Sequence, residues 1–344
     1  MRLMQESSPE NTPSDPGTLD SNRLIAARIW AAGALGLAAV DLAPVSGDAS
    51  FRRYFRLRAG TRSLILMDAP PGRENSRPFV EIAARLRNAG LHAPAIIDFD
   101  FEQGFGLLED LGDDLYRAVL TPESSAALFP DLFGVLHCMA QKVDATGLPD
   151  YDRRRLQDEM DLFTDWYLLR HRQVPLGKPE KTAWQDACEI LLANAAAQPQ
   201  VFVHRDFHCC NLLHLPGQAP GIIDFQDAVC GPLSYDFISL LWDRYIAWPR
   251  VQLEAWMESY RQQLGQPVSR AEWVRWCDLM GLQRNLKIVG IFSRLHYRDH
   301  KAGYLDMIPR FYAYLLDVAP LYPELRPLQE LLLKNMPRQT PCAP

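Results

Sequence analysis

The length, composition and charge of the chain exclude several classes of protein. Its 344 residues are 48% hydrophobic and 23% charged, which is ordinary for a globular protein with one large domain or two lobes. The formal net charge of -6 argues against a broad nucleic-acid-binding surface, which would normally be basic. No apolar run reaches the roughly 18–20 residues of a membrane span. Seven irregularly spaced cysteines favour a reduced, cytoplasmic protein.

The first third of the chain predicts a tail, a helix and a strand-rich lobe. Residues 1–18 are polar and rich in Ser, Pro and Asp, which is typical of a disordered segment. A helix is predicted over 19–37, with Asp20 or Ser21 as its N-cap. The next elements are an amphipathic helix over 75–90 and short strands within 44–57, 63–68, 93–100 and 105–112.

After residue 113 the pattern becomes helical. Long helices are predicted over 122–143, 154–171 and 178–197, and again from 233 to the end. Two short strands, 201–203 and 221–224, are predicted to form a small hairpin embedded in the helices. We therefore expect an α+β chain with a disordered tail (1–18), an N-lobe (19–112) and a helical C-lobe (113–344).

The stretch VFVHRDFHCCNLLH (201–214) permits two interpretations. Its histidines and cysteines could form a zinc site, but they lie in one segment without the paired C-x-x-C spacing of structural zinc sites. Side chains of adjacent cysteines also diverge, which disfavours binding to one ion. Alternatively, Asp206 and Asn211 are the functional residues, and Cys209 and Cys210 are small apolar fillers.

A third polar residue supports the second interpretation. The pattern H-x-D-x-x-x-x-N follows one short apolar strand, and a second apolar strand ends at Asp224. In phosphoryl transfer, one carboxylate orients the attacking hydroxyl and accepts its proton. An amide oxygen and a second carboxylate hold Mg²⁺ against the nucleotide phosphates. Asp206, Asn211 and Asp224 have the residue types and the order that these roles require.

These motifs resemble a known enzyme family. HRDFHCCNLL followed by GIIDFQDAVCGPLSYDFISLL is similar to the catalytic and metal loops of the aminoglycoside phosphotransferase/choline kinase-like family, relatives of the protein kinases. The resemblance implies a bilobal protein-kinase-like α+β fold, with a small antiparallel-sheet N-lobe and a larger helical C-lobe. It also implies ATP and Mg²⁺ as cofactors, Asp206 as the catalytic aspartate, and Asn211 and Asp224 as metal ligands. Asp236 matches a family aspartate that we expect to fix the catalytic loop.

The resemblance extends to the N-lobe. GLLEDLGDDLY (106–116) is similar to the family hinge, which implies that the backbone of Glu109 and Leu111 pairs with adenine. Glu81 matches the glutamate that orients the phosphates. The family lysine at the end of the third strand is replaced by Met67, so arginines of SFRRYFR (50–56) are expected to reach the phosphates instead. The predicted nucleotide-binding residues are Ser50, Arg52, Arg53, Glu81, Glu109 and Leu111.

Further stretches of the sequence narrow the choice of phosphoryl acceptor. GDASFRRYFRL, LILMDAPP and RNLKIVGIFSRLHYRDHKAGYL resemble the subgroup that phosphorylates the anomeric C1 hydroxyl of N-acetylmuramate and N-acetylglucosamine in peptidoglycan recycling, giving an α-1-phosphate. That subgroup shares the MDAPP segment. The lactyl carboxylate of N-acetylmuramate requires a cation or backbone donors, and sugar hydroxyls require carboxylates and mixed donors. The predicted substrate-binding residues are Glu159, Arg205, His208, Asp227, Arg294, Asp299 and His300.

Other functions remain open at this point. The same fold could serve an aminoglycoside kinase or another small-alcohol kinase, since a fold does not fix a substrate. Aminoglycosides are polycations, and the arginine-containing stretch 292–304 suits them less well than an acidic pocket would. Met67 also allows a nucleotide-binding pseudo-kinase. For the sugar kinase we expect a cytoplasmic monomer with an amino sugar and ATP as partners, and no nucleic-acid or membrane partner.

Overall fold

A computed structural model describes residues 16–45, 51–265 and 267–337 of the chain. The described α-helices are α1 (Pro16–Leu35), α2 (Arg77–Asn88), α3 (Tyr116–Val119), α4 (Ser125–Lys142), α5 (Arg153–Leu162), α6 (Lys178–Ala196), α7 (Tyr235–Leu241), α8 (Arg250–Leu264), α9 (Arg270–Tyr297), α10 (Tyr304–Val318) and α11 (Arg326–Lys334). The described strands are β1 (Ala43–Val45), β2 (Arg53–Ala59), β3 (Arg62–Asp68), β4 (Ile96–Asp100), β5 (Phe105–Glu109), β6 (Gln200–Val203), β7 (Leu212–Leu213), β8 (Gly221–Ile222) and β9 (Val229–Pro232). Across the described ranges, no helix combines the length and apolarity needed to cross a membrane.

The chain divides into two compact units. The first contains the residues up to Val80 together with Pro94–Asp110, and the second contains Glu81–Ala93 and the residues from Leu111 onward. Helix α2 therefore begins in the first unit and continues in the second. The predicted lobe boundary between residues 112 and 113 stays a prediction.

The first unit is built on one antiparallel sheet. Its strand order is β1-β2-β3-β5-β4, so β3 lies at the centre, and its residue Met67 pairs with Tyr54 on β2 and Gly106 on β5. Helix α1 packs small residues, among them Ala27 and Ala31, into a fully buried cluster with apolar residues of the central strands. Small side chains on the helix allow a close approach to the sheet, and the cluster buries apolar surface from both elements.

The start of α1 differs from the prediction. The helix begins at Pro16, so Asp20 and Ser21 lie inside it and neither is the N-cap. Proline is favoured in the first helical turn because that turn needs no N–H from it. Residues 1–15 of the predicted disordered tail lie outside the described residues. Residues 16–18 of the same prediction belong to the helix.

The second unit is organised around α9. This 28-residue helix is buried along most of its middle, and α5, α6, α7, α8 and α10 all contact it. The predicted helix 154–171 is only partly an α-helix, because α5 continues from Phe163 to His171 as a π-helix. The N–H of Arg172 accordingly donates to the carbonyl of Tyr167, five residues earlier, at 2.8 Å.

Two short antiparallel ladders lie among these helices. β6 pairs with β9, and β7 pairs with β8. The prediction that 201–203 and 221–224 form one hairpin is therefore wrong, because each strand pairs with a segment that was not predicted. β7 and β9 contain few residues and lack an alternating apolar pattern, which is the usual signal for a strand.

Gly290 marks the closest approach between α9 and α5. A Cβ atom at this position would lie 2.3 Å from the carbonyl carbon of Leu162, which is backbone and cannot move aside. We expect Gly290→Ala to lower the free energy of unfolding by about 3 kcal/mol, in the range of overpacked cores. Gly134→Ala in α4 is the control, because no atom lies within 4 Å of its added Cβ. It should raise stability by about 0.5–1 kcal/mol through helix propensity. Urea unfolding measures both, and equal effects of the two substitutions would contradict the packing argument.

Candidate active site

The loop that follows β6 is held by a carboxylate from α7. Asp236 accepts hydrogen bonds from the N–H of His204 at 2.6 Å and from the N–H of Arg205 at 3.0 Å. Arg205 has a left-handed backbone conformation (φ +76°), which residues other than glycine rarely adopt unless surrounding contacts hold them there. The expected role of Asp236 in fixing this loop is confirmed.

His204 has a structural role in this loop. It is fully buried, its Nε2 donates to the carbonyl of Ile223 at 3.0 Å, and its Nδ1 accepts from the N–H of Asp206 at 3.3 Å. Burial lowers the pKa of His204, which is consistent with a neutral ring. Both ring nitrogens are therefore occupied, and neither is available as a zinc ligand. Within the described ranges, no group of three or more His, Cys, Asp or Glu side chains could hold a metal ion.

Asn211 links Asp206 and Asp224 by hydrogen bonds. The Asn211 amide nitrogen donates to the backbone carbonyl of Asp206 at 2.9 Å and to the carboxylate of Asp224 at 3.3 Å. Asp224 is a second non-glycine residue with a left-handed backbone (φ +62°), and Gln226 donates to its other oxygen at 2.9 Å. Strained backbone that the surroundings hold in place is typical of functional loops.

The chemistry of this group fits a magnesium ion. Asn211 donates through its nitrogen, which leaves its amide oxygen as a donor atom for a metal, and Asp224 supplies a carboxylate. Mg²⁺ prefers such oxygen ligands and usually takes only one or two from protein, with phosphates and water completing its shell. Two residues of these types are therefore sufficient for a metal that also binds nucleotide phosphates.

A buried ionic network supports the catalytic loop. Glu159 forms ion pairs with Arg205 at 2.6 Å and with Lys287 at 3.0 Å, and it accepts a hydrogen bond from the Tyr151 hydroxyl. Lys287 also donates to the hydroxyls of Tyr151 and Tyr235, each at 3.2 Å. Burial opposes ionisation of Glu159, but Lys287 and Arg205 more than offset it and lower the pKa of the carboxyl.

Asp206 is ionised in this environment. Its carboxylate reaches the solvent of a cavity, yet enough protein surrounds it for burial to oppose its charge. Lys287, His208 and Arg284 outweigh that effect and hold the pKa of Asp206 below its usual value. An ionised carboxylate is the form that accepts a proton.

The cavity beside Asp206 combines cations with an apolar wall. Its volume is about 110 Å³, and its lining comes from the catalytic loop, α7 and the segment after it, α9 and α10. The lining residues are Asp206, His208, Tyr235, Trp242, Asp243, Arg244, Arg284, Lys287, Ile288, Ile291, Phe292 and Phe311. Four of them, at positions 284, 287, 288 and 291, recur at helical spacing and form one face of α9.

Three cations of the cavity lining, Arg244, Arg284 and Lys287, were not among the residues predicted from the sequence. The available signal was in RNLKIVGIF, where two cations lie three residues apart in a mostly apolar stretch. Lys and Arg are almost never fully buried unless they are paired or functional, so this spacing in a core helix points to a role.

The predicted substrate residues fall into three groups. His208 lines the cavity. Glu159 and Arg205 belong to the ionic network. The remaining residues lie outside the cavity lining, and they are Asp227, Arg294, Asp299 and His300. Asp227 and His300 are exposed, and Asp299 forms an ion pair with Arg298 at 2.7 Å. These four stay predictions.

The predicted nucleotide residues of the first unit make ion pairs there. Arg53 and Arg23 both bind Asp68, which is fully buried at the end of β3 beside Met67. Arg52 pairs with Glu74 at 3.1 Å.

The other predicted nucleotide residues vary in their settings. The N–H of Glu109 donates to the carbonyl of Ala95 at 2.8 Å, and the predicted contact of this backbone with adenine stays a prediction. In the second unit, Glu81 is exposed and pairs with Arg85, and Leu111 is buried. Ser50 lies outside the described residues.

Comparison with known proteins places this arrangement in a family. Residues 41–275 match the sequence profile of the "Phosphotransferase enzyme family". The chain belongs to this phosphotransferase family. It is 45% identical over 298 residues to the N-acetylmuramate/N-acetylglucosamine kinase of Pseudomonas aeruginosa, covering 85% of this chain and 88% of that protein.

Solved structures show the same fold at low identity. Choline kinase LicA from Streptococcus pneumoniae matches with a TM-score of 0.61 and 14% identity, over 84% of this chain and 98% of that one. The ADP-bound aminoglycoside phosphotransferase APH(2'')-Ib matches with a TM-score of 0.55 and 16% identity, over 83% and 96%. The predicted α+β, protein-kinase-like fold is confirmed, and the phosphotransferase fold implies the use of ATP.

Asp236 gives a test of the loop architecture. Asp236→Ala leaves two buried N–H groups without an acceptor, which should lower the free energy of unfolding by about 2–5 kcal/mol. Asp236→Asn keeps the shape and one acceptor oxygen, so a smaller loss is expected.

The pH dependence of that loss has a defined sign. Burial raises the pKa of Asp236 to about 7, so the folded phosphotransferase keeps a proton that the unfolded chain loses near about pH 4. The folded state binds more protons in this window, and the stability from Asp236 therefore falls as the pH rises. The difference between the wild type and Asp236→Ala in urea unfolding should be larger at about pH 5 than at about pH 8. A difference that grows with pH would contradict the raised pKa.

Proposed function

We propose that this phosphotransferase is an ATP- and Mg²⁺-dependent kinase that phosphorylates the anomeric C1 hydroxyl of N-acetylmuramate and N-acetylglucosamine. The observation that carries the proposal is the placement of an ionised Asp206 in a cavity, with Asn211 and Asp224 grouped beside its backbone. The relative that is 45% identical carries the name of a kinase for these two sugars.

Asp206 orients the acceptor and takes its proton. The C1 hydroxyl of the sugar donates a hydrogen bond to the Asp206 carboxylate, and its oxygen attacks the γ-phosphorus of ATP. The new bond joins the C1 oxygen to phosphorus, the bond from phosphorus to the β,γ-bridging oxygen breaks, and the proton passes to Asp206. Because an anomeric hydroxyl is more acidic than other sugar hydroxyls and the transition state is loose, a carboxylate of low pKa is sufficient as the base.

Asn211 and Asp224 hold the metal in this proposal. Bound Mg²⁺ would neutralise charge that develops on the phosphates. The left-handed backbone of Asp224 and the hydrogen bonds from Asn211 and Gln226 fix the position of the carboxylate before any ligand arrives. Such preorganisation reduces the ordering that binding would otherwise require.

The cavity suits an amino sugar. Trp242, Ile288 and Phe311 supply apolar surface for a sugar ring face or an acetamide methyl group. The two arginines in the lining disfavour a polycationic acceptor such as an aminoglycoside.

The product identifies both the reaction and its position. We expect purified protein with ATP, Mg²⁺ and either sugar to give a new ³¹P resonance coupled to the anomeric proton. EDTA should abolish it. Coupling to the C6 protons would keep a kinase but overturn the C1 assignment. Absence of ATP consumption with both sugars would show that neither is the acceptor. The remaining hypotheses would then be a kinase for another alcohol or a nucleotide-binding pseudo-kinase.

Asp206→Asn tests the proton acceptor. The amide keeps the shape of the side chain but cannot accept the proton, so kcat should fall by about 10²–10⁴-fold while ATP affinity changes little. Calorimetric titration with ATP and a coupled turnover assay measure the two quantities. Wild-type turnover in this variant would show that Asp206 is not the base.

Alanine substitutions of Arg52 and Arg53 test how the ATP phosphates are bound when Met67 occupies the position of the family lysine. If an arginine takes that role, alanine at its position should weaken ATP binding by about tenfold or more, as expected for a lost charge-assisted contact. Asp68 keeps its ion pair with Arg23 when Arg53 is replaced, which limits the structural cost. Arg58→Ala, an exposed position on the same strand as Arg53, is the control. Unchanged ATP affinity in both variants would show that neither arginine replaces the missing strand lysine.

A further inference from the structure

We propose that Arg284 recognises the lactyl carboxylate of N-acetylmuramate, and that Arg244 assists it. This inference rests on the proposed function and names the group that distinguishes the two sugars. N-acetylmuramate carries one carboxylate that N-acetylglucosamine lacks, and the cavity beside Asp206 contains two arginines, Arg244 and Arg284, that form no ion pair with a carboxylate of the described residues.

Arg284 is a buried cation without an ion-pair or hydrogen-bond partner among the residues that the structure describes. It is 5% exposed, it lies on the cavity-facing side of α9, and its Nη1 atom is buried with no hydrogen-bond partner. No ion pair or hydrogen bond joins its guanidinium to any residue in the described ranges. A buried charge left unpaired is strongly unfavourable, and a protein retains one where a ligand supplies the opposite charge.

The other buried cations differ from Arg284 in this respect. In the part of the chain that the structure describes, three Lys or Arg residues are less than one-tenth exposed, namely Arg52, Arg284 and Lys287. Arg52 pairs with Glu74, and Lys287 pairs with Glu159. Arg284 is therefore an exception to the way this chain otherwise accommodates buried positive charge.

The acidic residues of the cavity are committed elsewhere. Asp243 accepts hydrogen bonds from the N–H of Cys209 at 3.2 Å and from the N–H of Tyr245 at 2.9 Å. Each of its two oxygens therefore accepts one backbone hydrogen bond. Asp206 is assigned to the acceptor hydroxyl. Neither carboxylate forms an ion pair with Arg284, although Arg284 is close enough to Asp206 to lower the pKa of that carboxyl.

Arg244 adds a second cation to the same lining. It lies 3.3 Å from Nε2 of His208 and above the ring of Tyr245 at 5.5 Å, and it has no carboxylate partner among the described residues. A guanidinium binds a carboxylate through two parallel N–H groups, which gives direction as well as charge. One anionic group close to an apolar wall matches the structure of a muramyl sugar.

A competing role for Arg284 is contact with the transferring phosphoryl group. That role predicts equal losses with both sugars, because both receive the same phosphoryl group. Recognition of the lactyl carboxylate predicts a loss confined to N-acetylmuramate.

The deciding measurement is kcat/KM for each sugar in wild type, Arg284→Gln and Arg284→Lys. We expect Arg284→Gln to lower the ratio of kcat/KM for N-acetylmuramate to that for N-acetylglucosamine by about 10- to 100-fold, the size of a lost charge-assisted contact. Arg284→Lys should restore part of the ratio. Arg275→Gln is the control, because Arg275 lies on the same helix but pairs with Glu324 outside the cavity. An unchanged ratio overturns the inference while the proposed function stands. A wild type inactive with both sugars overturns the proposed function and the inference together.

Thermal unfolding separates ligand recognition from a structural role. Methionine at position 284 replaces an unpaired charge by an apolar chain of similar length, so the ligand-free Arg284→Met variant should unfold at the same or a higher temperature than wild type. N-acetylmuramate should stabilise wild type but not this variant, while N-acetylglucosamine stabilises both. A lower unfolding temperature without ligand would assign Arg284 to the fold and overturn the proposal.

Discussion

The active site depends on one carboxylate that holds the backbone of another segment. Asp236 at the start of α7 accepts the N–H groups of His204 and Arg205, and these contacts keep Arg205 in a left-handed conformation. The turn at Arg205 in turn sets the direction in which the chain leaves β6, and so the position of Asp206. His204 extends the restraint, because its ring joins the carbonyl of Ile223 to the N–H of Asp206 and links the two functional loops. The backbone position of Asp206 is thus fixed by Asp236 and His204, which lie outside the cavity lining.

The charges around the site fall into two sets. Glu159, Arg205 and Lys287 satisfy one another beneath the loop, with two tyrosine hydroxyls completing their hydrogen bonds. Breaking such a buried set leaves an uncompensated charge, so it is expected to behave as a unit. In the proposed function, Asp206, Asp224 and Arg284 instead interact with ligands. Because the first set is neutralised internally, its charges can act on the site without forming ion pairs with the residues that the proposed chemistry uses.

The sequence predicted the parts of the site that are local. Asp206, Asn211 and Asp224 lie close together in the chain, and their residue types and order at two strand ends were enough to predict roles. The role of Asp236 was predicted from the family resemblance. Lys287 and Arg284 were missed because their position beside the catalytic loop depends on the long-range packing of α9. Their charges within a mostly apolar stretch were a local signal of a role, but not of its location. The pairing of β6 with β9 was missed for a related reason, since a four-residue strand beginning at Val229 has too little pattern to be recognised. The π-helical continuation of α5 likewise has no sequence signal that we can identify.

The unpaired guanidinium on α9 also bears on the lifetime of the protein. Under the proposed recognition, the buried charge of Arg284 lowers the stability of the ligand-free protein. An anionic sugar that neutralises this charge then stabilises the folded chain to an extent that grows with the sugar concentration. Proteases in a cell act on the fraction of molecules that opens, so a modest gain in stability changes abundance several-fold. The amount of enzyme would then follow the supply of its acidic acceptor by turnover alone, without a change in synthesis.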